Sequence, residues 1–346
     1  MHRSIVLLIV AQLISMHVHA QAPLSANSQI HFATAAEARA LLTTRDDFVE
    51  RMSPFDRAAR LKTDQDVTEQ QYLDFVGAQA RDWSDAERQK IERAIAAIQP
   101  RLAEFNLPLP KQIDLVRTTG QEEGGAFYTR GGAIMFPTRR LARDDEARLR
   151  KTFCHELFHV LSRHAPELRE KLYAAIGYEP CGEVPFPAEL ADRKLTNPDA
   201  PRNDHAIKLK IEEVEHWAVP ILYARTPRYD VNRGGEFFDY LEFRFLVVDR
   251  DESGAATPVT ENGQPLLAQP AEVGNLFEQI GRNTQYIIHP EEVLADNFAM
   301  LILNEPNPPS PEILLKLEKV LRDHAATTNP PPASPAASPA RNSDSK

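Results

Sequence analysis

Two histidines four residues apart, with a glutamate between them, constrain the fold of this chain more than any other feature. The motif His-Glu-x-x-His occupies residues 155–159. On an α-helix His155 and His159 lie one turn apart on the same face. Both imidazoles can then bind one zinc ion, while Glu156 holds a proton-accepting carboxylate beside it. The chain must therefore fold so that this face of a helix borders a polar cleft.

The residues around the motif favour a helix that extends past it in both directions. Acids at residues 144–146 suit a helix start, and neither proline nor glycine follows before Pro166. Apolar residues at helical spacing lie opposite the histidines, namely Phe153, Leu157 and Val160. An amphipathic helix whose histidines are ordinary surface or core residues is the competing interpretation. The spacing favours the metal site.

A catalytic zinc bound by two histidines needs a third protein ligand, and its type separates the branches of metallopeptidases. The metzincin pattern requires glycine and histidine at positions that Ser162 and Ala165 occupy here. A second helix start lies downstream, where His289 precedes a proline and two acids. On that helix Glu292 and Asp296 share a face. Glu292 can bind the metal, and Asp296 can accept the other ring N–H of a ligand histidine.

With this residue set the chain resembles the gluzincin metallopeptidases, typified by thermolysin, in which a glutamate ligand and an aspartate four residues later follow His-Glu-x-x-His. The resemblance implies a zincin-like α+β core and zinc-dependent hydrolysis of peptide bonds. Its metal ligands are His155, His159 and Glu292, and Asp296 orients His155. The gap from His159 to Glu292 is far longer than in thermolysin, so we expect a large insertion between the two helices.

The resemblance also implies the catalytic roles. Glu156 is expected to accept a proton from the attacking water and to pass it to the leaving amine. A tyrosine or histidine often stabilises the oxyanion in gluzincins, which nominates Tyr286 first and His289 second. Tyr286 as a core aromatic is the alternative. The expected partner is a peptide or protein substrate.

Two other functions compete with a peptidase. One is a secreted, non-catalytic binding or scaffold protein that keeps a zinc-stabilised zincin fold. The other is a metal-independent helical binding protein with an accidental motif. Glu156 argues against the first, because a structural zinc site has no use for a base and normally has four protein ligands.

The N-terminus resembles a signal peptide. Residues 1–20 contain a short basic start, an apolar run and a small-residue cleavage pattern, so we expect the mature chain to begin near Gln21 and to be secreted or periplasmic. An N-terminal amphipathic helix is the alternative. The net charge of −10 and the absence of basic tracts argue against nucleic acid and anionic membranes as partners.

Periodicity divides the rest of the chain into regions. We predict a helical region at residues 21–105, with capping boxes at Thr68 and Ser84, and a catalytic domain at residues 106–324. That domain begins with a mixed sheet, including strands at 112–118 and 126–136. The second of these is the expected edge strand for an extended substrate. It also contains a β-rich insertion at about 185–285, and residues 325–346 form a predicted disordered tail.

Two further sets of residues leave alternatives open. Cys154 and Cys181 are the only cysteines. They either pair in an oxidising compartment or remain free, with Cys154 as a small buried apolar residue. Rival metal ligands lie in the predicted insertion, but the strand-like alternation around them indicates that they are solvated, namely Glu212, Glu213, Glu215 and His216.

Overall fold

The computed structural model describes residues 22–25 and 27–328. The predicted signal peptide at residues 1–20 and the predicted tail beyond residue 328 lie outside the described residues. Within them helices and strands are both abundant, which confirms a mixed α and β fold. No helix among the described residues is both long and apolar enough to cross a membrane.

The first half of the chain alternates short helices with strands of one sheet. Helices α1 to α7 span Ala35–Leu42, Asp47–Arg51, Pro54–Arg60, Glu69–Gly77, Asp85–Ala96, Gln99–Ala103 and Thr138–Arg143. Strands β1 to β6 span Ala22–Ser25, Ser28–Phe32, Ala80–Arg81, Gln112–Thr118, Tyr128–Arg130 and Ala133–Pro137. The predicted capping boxes are confirmed, because Thr68 and Ser84 each exchange hydrogen bonds with the residue three positions later.

The second half carries the long helices and a second sheet. Helices α8 to α13 span Glu146–His164, Pro166–Ala175, Ala188–Ala191, Leu276–Ile280, Pro290–Leu303 and Pro311–Thr328. Strands β7 to β14 span Tyr178–Pro180, His205–Ile211, Val214–Ala224, Leu241–Arg250, Ala256–Pro258, Thr260–Glu261, Gln264–Pro265 and Leu267–Ala268. Short 3-10 helices occupy Phe237–Tyr240 and Pro270–Glu272.

The first sheet has the order β1-β2-β4-β6-β5, and β3 also pairs with β4. Strands β2, β4 and β6 are parallel, whereas β5 is antiparallel to β6 and forms one edge. Alternate side chains of β6 enter different cores: Ile134 packs with α5, α8 and α12, while Met135 packs with α1 to α4. Helices therefore cover both faces of this sheet, and α8 lies beside its β5 edge.

The second sheet is antiparallel, in the order β11-β10-β9-β8-β7, and β14 also pairs with β10. Its inner residues, including Ile207, Leu209 and Phe245, join the same core as α8, α12 and α13. The predicted β-rich insertion is therefore packed into the main core. Its sheet begins at β7, earlier than the predicted boundary near residue 185.

Several sequence predictions differ from the structure. The predicted strand at 126–136 is a hairpin, because Gly131 has a positive φ of 57° and turns the chain between β5 and β6. The predicted helical region at 21–105 also supplies β1, β2 and β3 to the first sheet, so it shares that sheet with β4, β5 and β6 of the predicted catalytic domain. Helix α13 continues to Thr328 and includes the first residues of the predicted tail.

The cysteine question is also answered. Cys154 and Cys181 are both free and buried, and they belong to different hydrophobic clusters. The disulfide alternative is therefore wrong for this structure. Cys154 packs as a small apolar residue on α8, and burial raises the pKa of its thiol to about 12.

Candidate metal centre

The site forms where α8 packs against the first turns of α12. Asp145 caps the N-terminus of α8, and its carboxylate accepts the backbone N–H of Arg148. Helix α12 starts at Pro290, as the sequence predicts. The two helices make one of the most extensive contacts between elements of the fold. The imidazoles of α8 therefore face the acidic first turn of α12.

His155, His159 and Glu292 converge on one point. Oε2 of Glu292 lies 3.1 Å from Nε2 of His155 and 3.6 Å from Nε2 of His159. A tetrahedral zinc ion with bonds of about 2.0–2.1 Å has ligand atoms about 3.3 Å apart. The ligand atoms of all three residues lie within 4.8 Å of one another. The predicted ligand set is thus brought together with separations close to those of a tetrahedral site.

Two buried polar atoms at this point have no hydrogen-bond partner among the described residues. They are Nε2 of His159 and Oε2 of Glu156, and both residues are nearly inaccessible to solvent. Leaving a buried polar atom unpaired costs about 1–3 kcal/mol. A metal ion would pair with Nε2 of His159, and a water beside the ion would pair with Glu156. The donor set of two imidazoles and one carboxylate therefore fits a catalytic zinc.

Each histidine has its own carboxylate behind it. Nδ1 of His155 lies 2.9 Å from Oδ1 of Asp296, and Nδ1 of His159 lies 3.0 Å from Oε1 of Glu291. A carboxylate only accepts, so each Nδ1 carries a hydrogen and each Nε2 can offer its lone pair to a metal. Asp296 occupies the place that the sequence predicts for it.

Glu291 is a site residue that the sequence interpretation missed. It is 2% exposed, and it accepts hydrogen bonds from the hydroxyls of Ser162 and Tyr173 as well as from His159. In the sequence it is only a first-turn acid beside Glu292, and the helix dipole is sufficient to explain such a residue. The available signal was the pair of adjacent acids, because successive residues on α12 can serve successive histidines on α8.

The charges of the cluster shift its pKa values in opposite directions. Burial alone would lower the pKa of His159, but the carboxylates of Asp199, Glu292 and Glu291 outweigh it and raise the pKa to about 9. Burial alone would raise the pKa of Glu292, but His159, His155 and a hydrogen bond from Asn197 lower it to about 2. The protein without metal therefore holds an imidazolium against a carboxylate at neutral pH.

Glu156 projects from the same turn of α8 as its flanking histidines. Burial, followed by the charge of Asp199, raises the pKa of Glu156 to about 8. In the metal-free protein this carboxyl group is therefore mostly protonated at neutral pH, and a cation bound beside it would have to lower its pKa before it could act as a base. The structure therefore places the predicted base beside the predicted ligands.

The two predicted oxyanion residues have different environments. The ring of Tyr286 is stacked 6.4 Å from the ring of His155, and Tyr286 is 42% exposed. Burial and the charges of Glu292 and Asp199 raise the pKa of Tyr286 well above its usual value, so its phenol keeps the proton. This geometry favours Tyr286 as a donor at the cleft over a core aromatic.

The structure gives His289 another role. His289 is buried and is the N-cap of α12, where its Nδ1 accepts the backbone N–H of Glu291. Its ring packs against Tyr173, and burial lowers its pKa to about 4. This hydrogen bond gives His289 a helix-capping role that the sequence interpretation did not include, and the residue lines the same cavity as Asp199.

A loop that the sequence interpretation missed crosses the open side of the site. We call residues 195–201 the covering loop. Nδ2 of Asn197 donates to Oε1 of Glu292 at 2.6 Å. A carboxylate oxygen of Asp199 lies within 4.8 Å of ligand atoms of both His159 and Glu156. No motif in the sequence marks this loop, because it is irregular and far from both helices along the chain.

The rival ligands in the second sheet lie in a different environment. Glu212 and Glu213 form the turn between β8 and β9, where both have positive φ angles. Together with Glu215 they are exposed. The prediction that these acids are solvated is confirmed.

Comparisons of the chain with protein-family models, curated proteins and solved structures find no match. Any functional assignment therefore depends on the geometry of the site and on the motif resemblance.

Proposed function

We propose that this protein is a zinc peptidase of the gluzincin type, with a zincin-like core, that acts on peptide or protein substrates outside the cytoplasm. The observation that carries the proposal is the convergence of His155, His159 and Glu292, with a buried, unpaired carboxylate oxygen of Glu156 beside them. Three ligands and a base match a catalytic zinc site better than a structural one.

The fold is consistent with this proposal. A helix-covered mixed sheet ends in an antiparallel edge strand, β5, and the helix that carries the motif lies beside that edge. The second site helix, α12, packs directly on the first. This arrangement supports the zincin-like part of the proposal, because a sheet edge, the motif helix and the second site helix lie together.

When zinc is bound at such a site, it acts as a Lewis acid toward a substrate carbonyl and lowers the pKa of a bound water to near neutrality. Asp296 and Glu291 hold the two imidazoles with Nε2 toward the centre. Asn197 holds Glu292 through its other carboxylate oxygen. These contacts fix the ligand geometry before a metal binds, which reduces the reorganisation that binding requires.

The proton transfers fall to Glu156. Its carboxylate accepts a proton from the attacking water and then passes it to the amine of the departing product. The phenol of Tyr286, beside His155, donates a hydrogen bond to the oxygen that becomes negative as the carbonyl is attacked. Removing one such donor typically lowers the rate by about 10²–10³-fold.

A non-catalytic, zinc-stabilised scaffold is the second candidate, and one observation favours it. Asp199 is a further acid near one of the ligands, since its carboxylate oxygen lies within 4.8 Å of ligand atoms of His159 and Glu156, and a structural zinc centre needs a fourth protein ligand. Glu156 has no purpose in that function.

Glu156→Gln separates the two candidates. We expect this variant to bind about one zinc per chain, as wild type does, and to lose hydrolysis of a quenched peptide by several orders of magnitude, because the base is removed while every ligand remains. Zinc content by atomic absorption and peptide turnover are the two measurements. Zinc uptake without hydrolysis in wild type and in the Asp199→Ala variant would favour the scaffold, and the absence of zinc from wild type would contradict both candidates.

A further inference from the structure

The covering loop occupies the path that a substrate would take. Pro198 and Asp199 line two cavities and form the wall between them. The larger cavity, of about 390 Å³, is bordered by Ser162 and Glu291. The smaller cavity, of about 50 Å³, is bordered by aromatic side chains that include Tyr286. Pro198 and Asp199 thus separate a cavity beside Glu291 from a cavity beside Tyr286, and we call the two cavities together the groove.

The loop also occupies the hydrogen-bonding position beside the edge strand β5. Thr129 is the middle residue of β5, and its backbone N–H points away from the sheet. An extended peptide would pair with this group by adding a strand to the sheet edge. Instead, Oδ1 of Asp199 accepts both the backbone N–H and the hydroxyl of Thr129, each at 2.6 Å. The expectation that β5 is free to bind substrate is therefore wrong in this conformation.

The same carboxylate reaches the catalytic residues. Ligand atoms of Asp199, Glu156 and His159 all lie within 4.8 Å of one another. One side chain thus bridges the substrate-binding strand and the reaction centre. A substrate whose backbone pairs with Thr129 and whose carbonyl lies beside Glu156 would occupy the same space.

Hydrogen bonds from neighbouring elements hold the covering loop in this position. Thr196 donates its backbone N–H to Oδ2 of Asp56 at 2.9 Å and its hydroxyl to the carbonyl of Arg51 at 2.9 Å. Arg163, on α8, donates to the carbonyls of Pro198 and Asp199 at 3.2 and 3.1 Å. Asp56 is itself paired with Arg60, which is fully buried. These contacts fix the backbone of the loop, so its conformation is specified by the fold.

We propose that the covering loop is a built-in substrate mimic that keeps the enzyme latent, with Asp199 taking the place of substrate on β5 and beside the metal ligands. The proposal depends on the proposed function, because latency presupposes a peptidase. Substrate gains access when the loop leaves the groove. The affinity for any ligand of the groove is then reduced in proportion to the fraction of molecules in which the loop is open.

The test measures ligand binding separately from turnover. The full chain is loaded with Co²⁺ in place of zinc, and acetohydroxamic acid, a small metal-binding probe, is titrated while the visible absorption of cobalt is recorded. Asp199→Ala removes the carboxylate, and Asp199→Asn removes its charge but keeps an acceptor for Thr129. Asp199→Ala is expected to bind the probe at least about tenfold more tightly than wild type, as follows if the loop is closed in about nine of ten molecules. Asp199→Asn is expected to lie between wild type and Asp199→Ala, because it keeps the acceptor for Thr129. Hydrolysis of a quenched peptide is expected to rise in parallel.

Asp192→Ala is the matched control, because Asp192 lies three residues before the covering loop and is exposed. It is expected to behave as wild type. Equal probe affinity in wild type and both Asp199 variants, with Co²⁺ bound, would overturn the latency proposal and leave the proposed function intact. Failure of all proteins to bind Co²⁺ would overturn the proposed function and latency together.

Discussion

The two sides of the metal centre are built in different ways. Helices α8 and α12 present their side chains at regular spacing, and two carboxylates on α12 face two imidazoles on α8. The covering loop has no regular structure and reaches the same centre through Asn197 and Asp199. The helical side is periodic and buried, whereas the covering loop is irregular and depends on hydrogen bonds from neighbouring elements.

This difference separates ligation from access. In the proposed site the helices would determine whether a metal binds, because the proposed ligands and the carboxylates that contact them all lie on α8 and α12. The loop would determine whether a substrate can approach, because it pairs with Thr129 on β5 and separates the two cavities. Substitutions on the helices should therefore change metal affinity, and substitutions in the loop should change access while the metal stays bound.

The largest expected effect follows from removal of a ligand. Loss of a carboxylate that contacts a ligand histidine typically weakens metal binding by about 10–100-fold. Glu292→Ala should weaken zinc binding by more than this, because a direct bond to the metal is lost. Asp199→Ala should weaken it by less than that range. Competition with a chromophoric chelator measures both affinities.

The control for Glu292→Ala is Glu278→Ala, since Glu278 is also a first-turn acid but is exposed on α11. It should leave zinc affinity unchanged. A larger loss of zinc in Asp199→Ala than in Glu292→Ala would reverse the division between the helices and the loop.

An intermediate effect tests the carboxylates behind the histidines. Glu291→Ala and Asp296→Ala should each weaken zinc binding by about 10–100-fold without abolishing it, because each imidazole loses the group that fixes its tautomer. The same chelator competition applies. Glu291 is buried among several donors, so its variant should also lower the unfolding midpoint more than the Asp296 variant does.

Glu167→Ala is the matched control for Glu291→Ala. Both residues directly follow a proline at the first position of a helix, but Glu167 is exposed on α9. If the two variants bind zinc equally well, Glu291 is only a helix-terminal acid and α12 serves one histidine.

The last expected effect is a pH dependence of the stability of the metal-free protein. The pKa of His159 rises from an ordinary 6.5 to about 9 in the folded state. The stability that this shift contributes is fully present below pH 6.5 and is lost as the pH rises through 9, by roughly 3 kcal/mol. Urea unfolding of chelator-treated protein between pH 6 and 10 measures it.

Zinc binding should show the opposite trend over the same range. The metal must displace the proton from His159, so apparent zinc affinity should increase as the pH rises toward 9. Loss of this slope in Glu291→Ala would support its role in raising the pKa of His159. A flat pH profile in both measurements would show that His159 is neutral in the folded protein.

The helical side of the site was predictable because its chemistry follows from spacing. The separation of His155 from His159, and of Glu292 from Asp296, places each pair on one helical face, and zinc chemistry then requires the two faces to meet. Glu291 was missed because a first-turn acid already has a local explanation in the helix dipole. The capping role of His289 was missed because it depends on the orientation of its ring in the folded chain.

The loop was not predictable by the same reasoning. Asp199 is 70 residues from Thr129, and Thr196 is 140 residues from Asp56, with no periodic pattern to relate them. Strands β1 and β2 were missed because each is short: β2 is stabilised by pairing with the distant strand β4, and β1 joins the sheet only through β2.

The sequence by itself determined the motif helix, the ligand helix and the chemistry of the residues on them, because side-chain spacing on a helix is fixed by its local geometry. Only the tertiary structure decided which carboxylate stands behind each histidine, which strand forms the open edge and which loop fills the groove. These depend on contacts between residues far apart in the chain, where packing and hydrogen bonding over the whole fold select one arrangement among many that the local sequence permits.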